Sequence, residues 1–212
     1  MPRYFKNGMI VSVSVTIFTI LLSIFAGYGF SRFSFPGKRR LFIFILATQM
    51  FPAVLIIVQL YILFHNLKII NTYYGLILAL TALSLPLSIW MLRGFFDRIP
   101  RELEEAAWVD GCSVMGALYR IIVPIISPGI IAVALFSFLV AWNNLLFTLT
   151  LSIRPEMYTI PPGFLSDYVG QFTYYWAEMS AGAVMVSIPV IIIFILLQKY
   201  LVQGLTAGAV KG

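Results

Sequence analysis

Residues 105–124 read EAAWVDGCSVMGALYRIIVP, a polar strip between two strongly apolar segments. Upstream, 73–93 carries a charge only at its end, Arg93, and downstream, 125–151 carries none. The flanks decide the fold. Five stretches, 9–31, 41–65, 73–93, 125–151 and 179–201, are long enough to cross a bilayer core, which takes roughly 20 apolar residues. Of the 212 residues, 61% are hydrophobic and 10% charged, more apolar surface than a soluble core of this size needs. The expected class is all-α: one polytopic membrane helix bundle over 1–212, with about five transmembrane helices. A helical insert at 97–124 and a tail at 204–212 project from it. Each span carries Ser, Thr, Asn, Gln or Tyr, as helices packed in a bundle do. Arg3 and Lys6 precede the first span, but that span is longer than a signal h-region and lacks a small-x-small cleavage site. It reads as a retained helix.

The formal charge of +6 is no nucleic-acid signature here, because the basic residues sit mostly in short loops, where they set membrane orientation. Arg32, Lys38, Arg39, Arg40, Arg93, Arg98, Arg101, Arg120, Lys199 and Lys211 fall on one side, and Arg3, Lys6, Lys68 and Arg154 on the other. The richer side is expected to be cytoplasmic. The amino terminus then lies outside and the carboxyl terminus inside. This topology places 66–72 and the aromatic-rich 152–178 outside, the latter as an interfacial belt or a docking loop.

No Asp, Glu, Lys or Arg lies well inside any span. Ion-coupled carriers usually need such groups to bind or relay the ion, so a self-powered secondary transporter is disfavoured. A phosphate-binding GxxxxGK[ST] loop is also missing from the sequence. Cys112 is the single cysteine and His65 the single histidine, which excludes an internal disulfide and a histidine-rich metal site. No catalytic residue and no metal site are assigned. Uphill transport by this chain requires energy from a separate subunit.

Neutral polar groups do occur in the spans. Gln49 and Gln59 lie in the second, and Trp142, Asn143 and Asn144 stand together in the fourth. Amides beside aromatic rings suit an uncharged, hydroxyl-rich solute such as a sugar; their bland role is to bond helix to helix. Pro52, Pro86, Pro128 and Pro189 recur within spans and are expected to bend them.

Within the insert, Pro100 suits a helix start. Glu102, Glu104 and Glu105 load the first turns with the charge that favours a helix amino end. Leu103, Ala106, Ala107 and Asp110 fall on one narrow, small-sided face that a partner groove could approach closely. Gly111 permits a sharp change of direction. Residues 113–121 supply a second short helix, which Pro124 ends. The acidic character opposes adhesion to an anionic leaflet and suits a protein groove.

The pattern Glu105-Ala106-Ala107, three residues, Gly111, then Ile121-Ile122-Val123-Pro124 resembles the EAA loop of ABC importer permeases, with Val123 in place of the usual Leu and Asp110 also fitting. Pro36-Gly37-Lys38, Leu92-Arg93-Gly94-Phe95-Phe96, Ala141-Trp142-Asn143 and the terminal 204–212, GLTAGAVKG, resemble the carbohydrate branch, the MalG-type sugar permeases. The resemblance covers essentially the whole chain.

It implies a subunit that is not itself an enzyme and binds no cofactor, with ATP and Mg on a partner. Two permease subunits, alike or different, would form the pore in a bacterial or archaeal inner membrane. A pair of ATP-binding cassette subunits would each hold one coupling loop, and an extracytoplasmic solute-binding protein would deliver a sugar. Carried over, Glu105, Ala106, Ala107, Asp110, Gly111 and Pro124 would serve coupling. Such permeases usually carry a further amino-terminal helix after a cytoplasmic basic segment. This chain starts just before the second helix of that pattern, which would explain Arg3 and Lys6 on the outer side. A polyol or glycerol-phosphate permease and a non-transporting scaffold are the alternative expectations.

Overall fold

The computed structural model describes residues 1–168 and 176–209, with 199–209 as backbone only. The described residues form helices joined by short turns: α1 (Pro2–Arg32), α2 (Lys38–Ala47), α3 (Ala53–Asn66), α4 (Tyr73–Phe96), α5 (Glu102–Val109), α6 (Val114–Ile125), α7 (Ser127–Trp142), α8 (Leu146–Leu151), α9 (Ile160–Tyr168) and α10 (Trp176–Ala209). Among the described residues three helices are long and apolar enough to cross a membrane, Pro2–Arg32, Tyr73–Phe96 and Trp176–Gln198; counting each of two bent pairs as one span brings the total to five. The fold is the expected helical membrane bundle.

The second span, which reads as a single helix, is sharply broken, and a second sharp bend stands between the insert and the fourth span. Lys38–Met50 and Ala53–Asn66 meet at 99°, and Val114–Ile125 and Ser127–Trp142 at 78°. The first break has a local cause. Proline drives the residue before it out of the helical region, and Phe51 is extended, φ −76° and ψ 128°, ahead of Pro52. Pro52 and Pro128 therefore stand at or beside helix starts, where a missing N–H costs nothing, whereas Pro86 and Pro189 lie inside continuous helices. The fourth span also stops at Trp142, so 127–151 is two helices separated by Asn143, Asn144 and Leu145.

α1 is the central post, packing along α4 and α7, which also touch each other. Small side chains make this possible. Ser12, Thr19, Ser23, Gly27 and Ser31 are buried along α1, facing an α4 whose Ala79, Ser84 and Ser88 are buried. Such residues let membrane helices approach closely where no hydrophobic force between them exists. At Gly27 the two helices come close: an added Cβ would stand 3.2 Å from the backbone nitrogen of Arg93. The opposite face of α1, including Ile17, Phe18, Leu21 and Leu22, is exposed, as a lipid-facing stripe should be.

The bundle has two ends. One gathers the start of α1, the turn at 67–72 and the segment 152–168: Asn7 bonds to the carbonyls of Glu156 and Tyr158, and Tyr4 to Asp167. The other gathers the end of α1, the end of α4 and the insert, through Ser31, Arg32, Asp97 and Glu104.

Candidate coupling joint and solute path

The insert is two helices with a built stop between them. α5 begins at Glu102, two residues later than Pro100 suggests, because Arg98 and Ile99 first wind down α4 by bonding back to Phe95 and Phe96. At its far end the Cys112 N–H bonds to the Ala107 carbonyl at 2.9 Å and the Gly111 N–H to the Trp108 carbonyl at 3.0 Å. This pair of bonds is a Schellman stop, and its C′ residue must be left-handed. Gly111 is, with φ +84°. Ser113 then starts α6, its hydroxyl accepting from the Gly116 N–H at 3.1 Å. Pro124 does not end this second helix. It sits exposed within α6 after a π-turn at Leu118–Ile122, and the chain turns only at Ile126. Proline leaves the carbonyl one turn earlier without its partner, and a wider turn ahead of it is one accommodation.

Burial divides α5 differently from the expected face. Leu103, Glu105, Ala106 and Asp110 point outward, joined by Trp108 and Val109, whereas Ala107 turns inward with Glu104. Val109 is 88% exposed. The free face thus mixes small, acidic and apolar groups at the bundle's end.

Glu104, which the sequence offered only as a helix-end charge, is 2% exposed. Its two oxygens each have a partner from α1: Oε1 accepts from Arg32 Nε at 2.5 Å and Oε2 from the Tyr28 hydroxyl at 2.8 Å. Arg32 Nη2 donates to the Ile99 carbonyl at 3.0 Å, and Ser31 donates to Asp97 at 2.6 Å. Around this joint Tyr28, Phe96, Ile99, Leu118 and Ile122 form a buried apolar collar. Arg32 and Tyr28 were not foreseen. The available signal was Arg32 closing an apolar span one helical turn after a tyrosine.

The neutral polar residues are dispersed. Gln49 is exposed at the α2–α3 break, its amide donating to the Leu83 carbonyl at 2.9 Å. It borders a groove of about 340 Å³ lined by Phe51, Leu60, Phe64, Leu83 and Phe147. Gln59 is exposed on α3. Trp142, by contrast, is 2% exposed, stacked on Phe138 and set edge-on to Phe5, with its indole N–H on the Val186 carbonyl. Asn144 accepts from the Phe147 N–H at 2.9 Å and so starts α8. Asn143 alone of the three is exposed. The structure therefore does not gather Trp142, Asn143 and Asn144 onto one face.

Residues 19–207 match the family of binding-protein-dependent transport system inner membrane components. The chain belongs to this family. As such it is a membrane-embedded permease subunit of an importer. The sulfoquinovosyl glycerol transport permease SmoH of Agrobacterium fabrum is 37% identical over 206 residues, covering 97% of the chain and 72% of that protein. The trehalose/maltose transport permease MalG of Thermococcus litoralis is 36% identical over 211 residues, covering 100% of the chain and 76% of its own length. In three dimensions, a chain of a bacterial ABC transporter involved in import of the acidic polysaccharide alginate superposes with a TM-score of 0.80, over 93% of this chain and 74% of that one, at 20% identity. That likeness confirms the fold.

Proposed function

We propose that this permease moves a neutral sugar or oligosaccharide and takes its energy from an ATP-binding cassette subunit docked on the 97–124 insert. One observation carries the second half. α5 presents Leu103, Ala106, Trp108 and Val109 outward from the end of the bundle, while the stop at Gly111 and the Glu104 joint fix its direction. Surface apolar side chains held on a rigid short helix suit a groove on a partner. Glu105 and Asp110 frame that face, and Pro124 lies in the connecting helix.

The spans support a neutral class of solute. Gln49, Gln59 and Asn143 are exposed yet uncharged. Placing an amide such as that of Gln59 against lipid is unfavourable, so this side of α3 suits a second permease subunit enclosing a polar path. Relatives named for sugars and glycosides, trehalose and maltose among them, support a carbohydrate cargo. A solute-binding protein would deliver it to the end formed by 152–168. The excess of basic residues at the insert's end supports a cytoplasmic location for that end and the 204–212 tail, with Met1 outside; residues 210–212 of that tail lie outside the described residues.

The test is a cysteine at Ala106, in a chain whose Cys112 is replaced by serine, treated with a short thiol crosslinker in native membranes. Mass spectrometry of the adduct is expected to identify a nucleotide hydrolase. Adducts confined to lipid or to the chain itself would sink the docking reading.

A further inference from the structure

We infer that Arg32 and Glu104 are positioning residues that transmit movement of α5 to α1, so that nucleotide-driven motion at the insert reaches the bundle. This rests on the docking reading of α5 given above. α5 has little else to hold it to α1. Of its eight residues, Glu104 and Ala107 are the buried ones, and Ala107 offers a single methyl. A contact built from apolar groups can slide, because dispersion and burial have no direction. The Glu104 carboxylate is instead held at both oxygens, by Nε of Arg32 at 2.5 Å and by the Tyr28 hydroxyl at 2.8 Å.

Hydrogen bonds to ionised groups are short and directional, and here both charged side chains are withdrawn from water, 8% and 2% exposed. Breaking such a pair exposes an uncompensated buried charge, so push and pull are both resisted. The other end of the joint is also tied. Arg32 Nη2 bonds to the Ile99 carbonyl, and Arg101 reaches the Arg32 carbonyl at 3.4 Å. Arg32 therefore bonds both to α5 and to the turn that feeds it. Beyond the joint lies α1, which packs against both α4 and α7, so displacing its end displaces the centre of the bundle.

The prediction is a separation of ATP turnover from uptake. In the reconstituted transporter, Glu104→Gln and Arg32→Lys are expected to keep at least half of the ATPase rate. Uptake should fall about tenfold in Glu104→Gln and less in Arg32→Lys, which keeps the charge and loses one donor direction. A purely structural role would lower both rates together in proportion to the amount of folded complex.

A second measurement does not depend on tolerance of those two variants. In a Cys112→Ser background, Arg32→Cys with Glu104→Cys should be uncoupled. Bridging the two thiols with a bis-methanethiosulfonate reagent should restore uptake, and dithiothreitol should abolish it again. Normal uptake in Glu104→Gln, or a bridged double-cysteine chain that remains uncoupled, overturns the link. If the Ala106 crosslink to a nucleotide hydrolase persists in those chains, only the link has failed. If it is missing from the parent chain, the docking reading falls and takes the link with it.

Discussion

The two ends of α1 are both fastened, but with different chemistry. At the insert end the fastening is ionic: Arg32 and Glu104, with Tyr28 on the second carboxylate oxygen. At the opposite end the buried fastening is neutral, beside an exposed bond from Tyr4 to the Asp167 carboxylate. The buried Asn7 amide donates to the carbonyls of Glu156 at 2.8 Å and Tyr158 at 2.9 Å, and its oxygen accepts from the Tyr73 hydroxyl at 2.7 Å. Both arrangements satisfy their groups. They differ in what happens when one member is lost. A neutral network that is cut leaves dipoles unpaired, whereas an ionic one leaves a whole charge in a place with little water. The difference teaches where the molecule is built to carry load and where it is built to hold a loop. The neutral end anchors the 152–158 segment to α1 and α4. The ionic end joins a short, otherwise lightly held helix to the central post.

The sharpest way to break this comparison is to truncate each end in turn. Glu104→Ala is expected to destabilise the folded chain by about 3–5 kcal/mol, the cost of stranding a buried partner charge. Asn7→Ala should cost about 1–3 kcal/mol, the range for unsatisfied neutral groups. Thermal unfolding in detergent, followed by tryptophan fluorescence, would rank them. Equal losses would mean that the ionic joint is more hydrated than its burial indicates.

Gly111 sharpens the comparison from the side of the backbone. An L residue in the left-handed region costs roughly 1–2 kcal/mol, with Asp among the better tolerated, and an added Cβ at Gly111 meets nothing within 4 Å. Gly111→Asp should therefore leave a folded chain with a modest loss of stability while shifting the direction of α5. Uptake is expected to drop well beyond the loss of folded protein, with the Ala106 crosslink weakened. Full uptake together with undiminished ATPase co-purification would show that the direction of α5 does not matter.

Much of this molecule was legible in its sequence because the features are local. Apolar length gives the spans, and Gly111 announces the stop because few other residues occupy that backbone conformation cheaply. The prolines were half legible. Pro52 and Pro128 are visible as interruptions, yet whether a proline bends a helix or begins one depends on the residue before it. Phe51 is extended, and that made the difference. Glu104 and Arg32 were illegible for a deeper reason. They stand 72 residues apart, and nothing in the run Glu102-Leu103-Glu104-Glu105 says which glutamate faces inward. Only the packing of α5 against α1 decides that. Trp142 misleads in the same way. Its neighbours Asn143 and Asn144 suggested a polar cluster, but the indole fills the space between α1, α7 and α10.

The smallest structural effect, and the most telling for the solute path, belongs to Asn143. It is exposed beside a buried tryptophan and a helix-starting asparagine. Its replacement by alanine removes no observed anchor, so stability should change by less than about 0.5 kcal/mol, as at other surface positions. If the amide faces a carbohydrate path, Asn143→Ala should reduce uptake of a labelled sugar several-fold with ATPase activity retained. Asn144→Ala, which deprives α8 of its first-turn acceptor, should lower stability by about 1 kcal/mol and uptake in proportion. A flux unaffected by Asn143→Ala would move the path toward Gln49 and the α2–α3 groove. The pair thereby tells a side chain that contacts solute from one that shapes the backbone beside it.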